Sequence, residues 1–132
     1  MSVYPVPYGM SKYDLFWRYL KKGNVVRVGA VVFGSTATLY TCPEDKRCYI
    51  ILMVVTWTSP NASGGGHVYI LKPDNTKIYI AYIFSQSNSY GTHNTGSLVI
   101  SDVITLDGGE SIVVESDQTS LRMGCFAEVV EL

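Results

Sequence analysis

The sequence predicts an all-β protein: an antiparallel β-sandwich, jelly-roll-like, of about eight strands, with a short N-terminal arm and helix. Three observations lead to this prediction. From residue 24 onward, β-branched and aromatic runs alternate with turn residues at a spacing of about ten residues, as in sandwiches and barrels. No strand–helix–strand repeat occurs, which excludes a parallel sheet. The 132 residues suffice for one domain with a substantial core.

The most informative stretch is residues 36–57, TATLYTCPEDKRCYIILMVVTW. Two β-rich runs flank a polar turn at residues 43–47, and the second run is apolar at almost every position, as in a strand buried on both faces. Cys42 and Cys48 stand at the two edges of the turn, and we predict that they lie within disulfide reach. A bond between them and a pair of buried free thiols both stay open as interpretations.

The other strands are predicted from short β-rich segments bounded by Gly, Pro, Asn, Asp and Ser, the residues that favour turns. Residues 59–61 are expected to end the third strand, residues 63–66 to form a flexible glycine-rich loop and residues 85–96 a polar loop. Turns are expected at residues 72–75, 107–109 and 117–120. The eight predicted strands cover residues 25–33, 36–41, 48–58, 67–71, 76–84, 97–106, 110–115 and 121–130.

Residues 1–23 are predicted to form an extended arm and an amphipathic helix ahead of the β-sandwich domain at residues 24–132. Ser11 lies three residues before Asp14, as at a capped helix start, and Gly23 is a natural stop. A helix this short is stable only if its apolar face packs against its own domain or against a neighbouring subunit. The residues expected to provide this docking surface are Tyr4, Tyr8, Tyr13, Phe16, Trp17 and Leu20.

Composition narrows the classes of partner. Charged residues make up 16% and hydrophobic residues 47% of the chain, which argues against disorder. A net charge of −1 provides no field to attract nucleic acid or an anionic membrane. No signal peptide is recognisable, and the longest apolar run is too short to span a bilayer. The ten tyrosines suit either an interface or exposed strand faces.

No catalytic motif, metal-ligand cluster or phosphate-binding loop is recognisable, so we expect no enzyme activity, no metal and no cofactor. His67 and His93 are expected at exposed loops or strand edges, and Cys125 inside the last strand. Aromatic side chains with exposed faces favour stacking on sugars, although packing in a core or interface explains them as well. The candidate ligand-binding residues are Trp57, Asn61, His67, Tyr90 and His93, with Tyr69, Tyr79 and Tyr82 as further stacking candidates.

Two segments resemble small β-sandwich virion proteins of tailed phages and related prokaryotic viruses, of the head-decoration, fibre or neck–tail adaptor type. Residues 38–57, TLYTCPEDKRCYIILMVVTW, are similar to the opening strand–turn–strand unit of such proteins. Residues 106–128, LDGGESIVVESDQTSLRMGCFAE, resemble their closing hairpin. Turns of that family at the position of residues 43–47 usually carry a glycine, which this chain lacks.

The resemblance implies a non-enzymatic structural subunit, made in the host cytoplasm and located in the virion. Such a subunit is expected to form a symmetric homo-oligomer, a trimer or higher, and to dock onto other virion proteins. The alternative is a carbohydrate- or receptor-binding β-sandwich that contacts a host surface glycan. An enzyme such as a cupin-like dioxygenase ranks last, because the clustered histidine ligands that its metal requires are missing.

Overall fold

Nine strands and no helix occur in the part of the chain that the computed structural model describes, which comprises residues 24–60, 64–85, 93–117 and 121–132. The predicted arm and helix lie outside these residues. No helix in the described ranges is long and apolar enough to cross a membrane. The strands are β1 (Asn24–Phe33), β2 (Thr36–Thr41), β3 (Cys48–Pro60), β4 (Gly64–Leu71), β5 (Lys77–Ser85), β6 (His93–Ile100), β7 (Ile104–Leu106), β8 (Ser111–Ser116) and β9 (Arg122–Glu131).

The strands form two sheets, and every pairing is antiparallel. The first sheet has the order β1-β9-β3-β6, with β7 also paired to β3. The second sheet has the order β2-β8-β4-β5. Each sheet therefore combines strands from the two ends of the described chain, and the connections β1–β2 and β2–β3 pass from one sheet to the other. The prediction of an all-β, antiparallel protein is confirmed.

The core lies between the two sheets, because alternate residues of each strand point inward. The second apolar run of the central stretch forms β3, whose Ile50, Met53 and Val55 are almost completely buried. The side chains that face these residues come from both sheets. Each fully buried aliphatic side chain contributes about 1.5–3 kcal/mol to the free energy of folding. The shared cluster includes Val68, Ile70, Leu106, Ile112, Val114, Leu121, Met123, Cys125 and Val129.

The predicted strand at residues 97–106 is in fact two strands, which raises the count from eight to nine. Both β6 and β7 pair with β3, β6 from Met53 onward and β7 up to Ile50. In the pairing of β3 with β9, the register shifts between Ile50 and Leu52, so Ile51 is an extra residue. The interruption at residues 101–103 lies opposite this bulge, where the spacing of the β3 backbone is irregular.

Two predicted loops also contain strand residues. β4 begins at Gly64 and β6 begins at His93, although these positions were expected in loops. Gly65 and Gly66 are paired with β5, and Gly66 also pairs with β8, so backbone hydrogen bonding overrides the low strand propensity of glycine. At Gly66 there is a packing reason as well, because a Cβ atom there would overlap Sδ of Met123.

The predicted turns are present at residues 43–47, 72–75 and 107–109. Lys46 N donates to Pro43 O at 3.0 Å in the first turn. In the second, Asn75 has φ of 69° and donates its N–H to Lys72 O at 2.9 Å, which suits an asparagine in the left-handed region. Gly109 occupies the corresponding region in the third, with φ of 86°.

Candidate functional site

The outer surface of the first sheet is apolar along a row that crosses four strands. Val99, Val54, Phe126 and Gly29 are consecutive register partners on β6, β3, β9 and β1, so they lie side by side on the same face. The side chain of Val99 is 60% exposed and that of Phe126 is 47% exposed. We call this surface the Phe126 face; its apolar residues are Val31, Phe33, Leu52, Val54, Val99 and Phe126.

The ring of Phe126 lies against the backbone on the face because glycines flank it. A Cβ at Gly29 would overlap the ring, and a Cβ at Gly124 would lie 3.1 Å from its Cε2 atom. One groove of about 500 Å³ lies beside the ring, lined by residues of β1, β3 and β9 that include Leu52 and Val54. A second hollow of about 250 Å³ is lined by Phe126 together with Val31, Thr56 and Arg122. A side chain from another element therefore has room on both sides of this ring.

Charged groups lie at the margin of the Phe126 face. Arg27 Nε pairs with Glu128 Oε1 at 3.2 Å, and both residues line the larger groove. The guanidinium of Arg122 lies 5.7 Å from the centre of the Phe33 ring. Both interactions are exposed and contribute little to stability. The arrangement has an apolar centre and a polar margin, as in protein–protein interfaces.

The outer surface of the second sheet carries an aromatic cluster. Tyr69 is the register partner of Tyr79, and His67 is the partner of Tyr82, so all four rings lie on one face. Strict alternation along β5 would place Tyr79 and Tyr82 on opposite faces. A β-bulge leaves Ile80 as an extra residue and brings both tyrosines to the outside, where they are 58% and 60% exposed.

The rings of this cluster contact one another. His67 lies 5.3 Å from Tyr79 and 4.9 Å from Tyr82, measured between ring centres. Tyr79 lies edge-on to Tyr69 at 5.6 Å. Tyr69 is only 4% exposed, and Lys77 Nζ lies 4.9 Å from its ring. Burial raises the pKa of the Tyr69 hydroxyl, and the charge of Glu115 raises it further.

Polar groups surround the tyrosines on this face. Tyr69 donates its hydroxyl proton to Glu115 Oε2 at 3.4 Å. Asp117 accepts a hydrogen bond from Gly65 N at 2.7 Å, and both Asp117 and the Tyr82 hydroxyl lie next to Gly65. Nδ1 of His67 is buried and has no hydrogen-bond partner in the described part of the chain. The exposed rings of Tyr79 and Tyr82, with the neighbouring acceptors Glu115 and Asp117, can contact a ligand that has both C–H faces and hydroxyls.

The predicted thiol pair lies at the edge of the core, where the two sheets meet. The Sγ atoms of Cys42 and Cys48 are 2.6 Å apart, and both residues are almost completely buried. The Tyr40 hydroxyl contacts Cys48 Sγ at 3.4 Å and donates to the carboxylate of Glu131. Burial raises the pKa of Tyr40 and that of Cys42, the latter to about 12, and the hydrogen bonds to Cys48 add to both shifts.

The structure separates the residues that were predicted to bind ligands. His67 belongs to an interior strand, not to an exposed loop or a strand edge, and contacts the tyrosines of the second sheet. Trp57 belongs to the first sheet, where its indole packs on the core and against Gly96. His93 begins β6, with its backbone paired to Pro60. Asn61 and Tyr90 lie outside the described residues, as do the docking residues Tyr4, Tyr8, Tyr13, Phe16, Trp17 and Leu20.

Cys125 is buried inside β9, and burial raises its pKa to about 12. A thiol with a raised pKa has little thiolate at neutral pH, so Cys125 is a poor nucleophile. Within the described ranges, no group of three or more His, Cys, Asp or Glu residues is placed to hold a metal ion.

Comparison with known proteins identifies the fold. No protein-family model and no curated protein matches the sequence. Two crystal structures of a pentameric capsid protein isolated from metagenomic phage sequences are similar, each with 16% identity. One has a TM-score of 0.53 and covers 96% of this chain and 79% of that chain. The other has a TM-score of 0.54 and covers 98% and 77%. The chain therefore shares its fold with a phage capsid protein.

The Phe126 face was missed in the sequence, because neighbouring residues on it come from strands far apart in the chain. Val31 and Phe33 belong to the first described strand and Phe126 to the last. The local signal was the pattern Gly124–Cys125–Phe126, in which a large ring stands two residues from a glycine. Only the strand order shows that Gly29 completes the space for this ring.

Proposed function

We propose that this chain is a non-enzymatic structural subunit of a phage virion, which self-assembles into a symmetric homo-oligomer and docks onto other virion proteins. The observation that carries the proposal is the shared fold, over nearly the whole chain, with a pentameric phage capsid protein. A ring of five copies is the expected assembly, and its place is a capsid decoration, fibre or tail–neck component. The strand orders β1-β9-β3-β6 and β2-β8-β4-β5 support a jelly-roll description of the domain.

The Phe126 face is the surface we propose for assembly, and its occupant is the segment 1–23 of a neighbouring copy. This segment joins the described chain at Asn24, the first residue of β1, which is an edge strand of the same sheet. Its predicted helix carries an apolar face, and the groove beside Phe126 is lined mainly by apolar residues. Burial of aromatic side chains in such a groove is the usual source of interface affinity.

The first test is the removal of residues 1–23. We expect the shortened chain to keep the β-domain folded and to be monomeric, because the nine strands and their shared core all lie after residue 23. Light scattering coupled to size exclusion measures the mass, and far-UV circular dichroism measures the fold. A full chain that has the 14.6 kDa mass of a single protomer contradicts self-assembly.

The second test compares two exposed aromatic residues on opposite outer faces. Phe126→Ser is expected to dissociate the full-length oligomer, because it removes the centre of the proposed interface. Tyr82→Ser is the matched control, since Tyr82 is similarly exposed but lies on the second sheet. If only Tyr82→Ser dissociates the oligomer, assembly uses the outer face of the second sheet and the proposal for the Phe126 face is wrong. If Phe126→Ser keeps the mass of the full-length oligomer, the segment 1–23 does not bind at the Phe126 face.

A second candidate function is the binding of a host surface glycan by the aromatic cluster of the second sheet. The observation that favours it is the bulge at Ile80, which places Tyr79 and Tyr82 together and exposed. Tyrosine rings pack on the C–H face of a pyranose, and Glu115 and Asp117 provide acceptors for its hydroxyls. Bulges commonly redirect side chains next to binding sites.

The test is binding of the full chain to a panel of immobilised neutral and sialylated oligosaccharides. Tyr79→Ser and Tyr82→Ser are each expected to abolish binding, whereas Phe126→Ser, on the other sheet, keeps it. The assembly and glycan experiments therefore use the same variants with opposite expectations. Binding that survives both tyrosine substitutions, or no binding to any sugar of the panel, would refute this candidate function.

A further inference from the structure

We propose that Cys42 and Cys48 form a redox site, at which an intrachain disulfide ties the end of β2 in the second sheet to the start of β3 in the first. The inference is independent of the proposed function, because it depends only on the geometry of residues 40–48 and their neighbours. It assigns a covalent modification to two of the three cysteines of the chain and leaves Cys125 as a thiol.

The two sulfur atoms already face each other. Their separation is 2.6 Å, whereas bonded sulfurs lie about 2.05 Å apart, so small movements of both side chains complete the bond. Cys42 is 1% exposed and Cys48 is fully buried, which leaves the two sulfurs in contact and shielded from bulk solvent. Cys125, the remaining cysteine, lies in β9, opposite Val55 of β3. The pairing is therefore unambiguous among the described cysteines.

The loop that joins the two cysteines is held in place by the neighbouring turn between β7 and β8. Cys42 N donates to Glu110 O at 2.9 Å, and Gly109 N donates to Cys42 O at 2.8 Å. Gly108 packs so closely on the backbone of Glu44 that a Cβ there would overlap its carbonyl oxygen. These contacts fix the backbone at Cys42 and Glu44, and strand pairing with Leu106 and Glu131 fixes it at Cys48. The two sulfurs are therefore held close together without rearrangement of the loop.

The oxidation balances with a low-molecular-weight disulfide such as oxidised glutathione. One cysteine thiolate attacks a glutathione sulfur, which forms a mixed disulfide and releases one molecule of reduced glutathione. The other cysteine then attacks the sulfur of the first cysteine. This step forms the Cys42–Cys48 bond and releases a second molecule of reduced glutathione. The protein loses two electrons and two protons, and the glutathione disulfide gains both. The reverse sequence in excess reduced glutathione restores the two thiols.

The surroundings of the pair slow this exchange in the folded protein. Burial hinders the approach of glutathione and raises the pKa of Cys42 to about 12, so little reactive thiolate is present at neutral pH. Exchange therefore requires local opening of the loop or takes place during folding. We expect the two redox forms to be kinetically stable once folded, and a mild disulfide reagent to oxidise the protein quickly only during refolding.

The experiment uses the full chain, refolded from denaturant in glutathione buffers of defined ratio. Thiols are then blocked with an alkylating reagent under denaturing conditions and counted by intact mass. In excess oxidised glutathione we expect one blocked cysteine and a protein lighter by two hydrogens. In excess reduced glutathione we expect three. Cys42→Ser and Cys48→Ser each abolish the change, whereas Cys125→Ala, the matched buried control, keeps it.

A thermal melt measures whether the disulfide stabilises the folded protein. Closure of a loop this short raises the melting temperature by about 5–10 °C over that of the reduced protein. Cys42→Ser should melt at the same temperature in both buffers. Three blocked thiols in excess oxidised glutathione would overturn the proposal. Intermolecular cross-links on a non-reducing gel, or a bond that includes Cys125, would overturn it equally, and mass mapping of the linked peptides distinguishes these outcomes.

Discussion

Substitution of Gly66 by Ala tests the packing of the two sheets against each other. Gly66 faces the core from β4, and an added Cβ would overlap Sδ of Met123 and lie 2.9 Å from its Cε atom. Met123 is completely buried, so its side chain cannot move into solvent. The added methyl group must therefore displace core side chains or push the two sheets apart.

The expected cost follows from two opposing terms. Overpacking a well-packed core by one methyl group costs about 1–3 kcal/mol. Replacing glycine by alanine reduces the conformational entropy of the unfolded chain, which returns about 0.4–1 kcal/mol. The backbone of Gly66 has no positive φ, so no backbone strain is added. We expect Gly66→Ala to lower the free energy of unfolding by about 1–2 kcal/mol.

A double-mutant cycle with Met123 isolates the contact. Met123→Ala alone should cost about 2–5 kcal/mol, because it leaves a cavity in the core. In the double variant the methyl group introduced by Gly66→Ala occupies part of that cavity, so the combined cost should be smaller than the sum by about 1 kcal/mol or more. Gly65→Ala is the control: its Cβ would meet Oδ2 of the exposed Asp117 at 3.0 Å, so only the end of a surface side chain, which accepts a hydrogen bond from Gly65 N, has to shift slightly.

Urea unfolding followed by tryptophan fluorescence measures these free energies. All variants are compared at one protomer concentration, since assembly makes apparent stability depend on concentration. Gly65→Ala should stay within about 0.5 kcal/mol of the parent protein. If Gly66→Ala is as stable as the parent, or if the costs of Gly66→Ala and Met123→Ala add fully in the double variant, the close contact between the sheets at Gly66 is refuted.

Two further predictions concern the region around the thiol pair. The hydroxyl of Tyr40 and the amide of Asn24 hold the pKa of Glu131 below its ordinary value, so this carboxylate stabilises the fold above that value and loses its contribution as the pH falls through the lower folded-state pKa. Tyr40→Phe should therefore make the free energy of unfolding less dependent on pH in the acidic range. Urea unfolding over a pH series measures this, and parallel curves of free energy against pH for the parent and the variant would contradict it. Gly108→Ala should destabilise more than Gly66→Ala, because its Cβ would overlap the backbone carbonyl of Glu44 and not a flexible side chain; an equal melting temperature in parent and variant would refute the close approach.

The strands that were predicted correctly have strong local signals. The run from Cys48 to Thr58 is β-branched or apolar at almost every residue, and it forms β3, the strand that pairs with three others. The turn at residues 72–75 contains Pro, Asp and Asn, each of which favours a turn through its own backbone or side chain. The start of β4 was missed because its local signal points away from a strand: Gly64, Gly65 and Gly66 have low strand propensity and pair only through their backbone.

The candidate surfaces were only partly predictable. Tyr79 and Tyr82 were recognised as stacking residues, but periodicity alone places them on opposite faces of β5. The bulge at Ile80 reverses this, and its position depends on the pairing of β5 with β4. Trp57 was grouped with the same tyrosines, yet β3 belongs to the other sheet. The Cys42–Cys48 contact lies across a short polar turn and was predictable, because only five residues lie between the two cysteines.

The sequence by itself determined the all-β class, the antiparallel arrangement and most of the strand and turn positions, because these depend on neighbouring residues and on short-range backbone preferences. Only the tertiary structure decided which residues share a face. The row of Val99, Val54, Phe126 and Gly29 joins strands from both ends of the chain, and a shift of one residue in any pairing would turn its side chains to the opposite face. Strand order and register result from the packing of the whole core, so the surfaces available for assembly and binding exist only once the two sheets have formed.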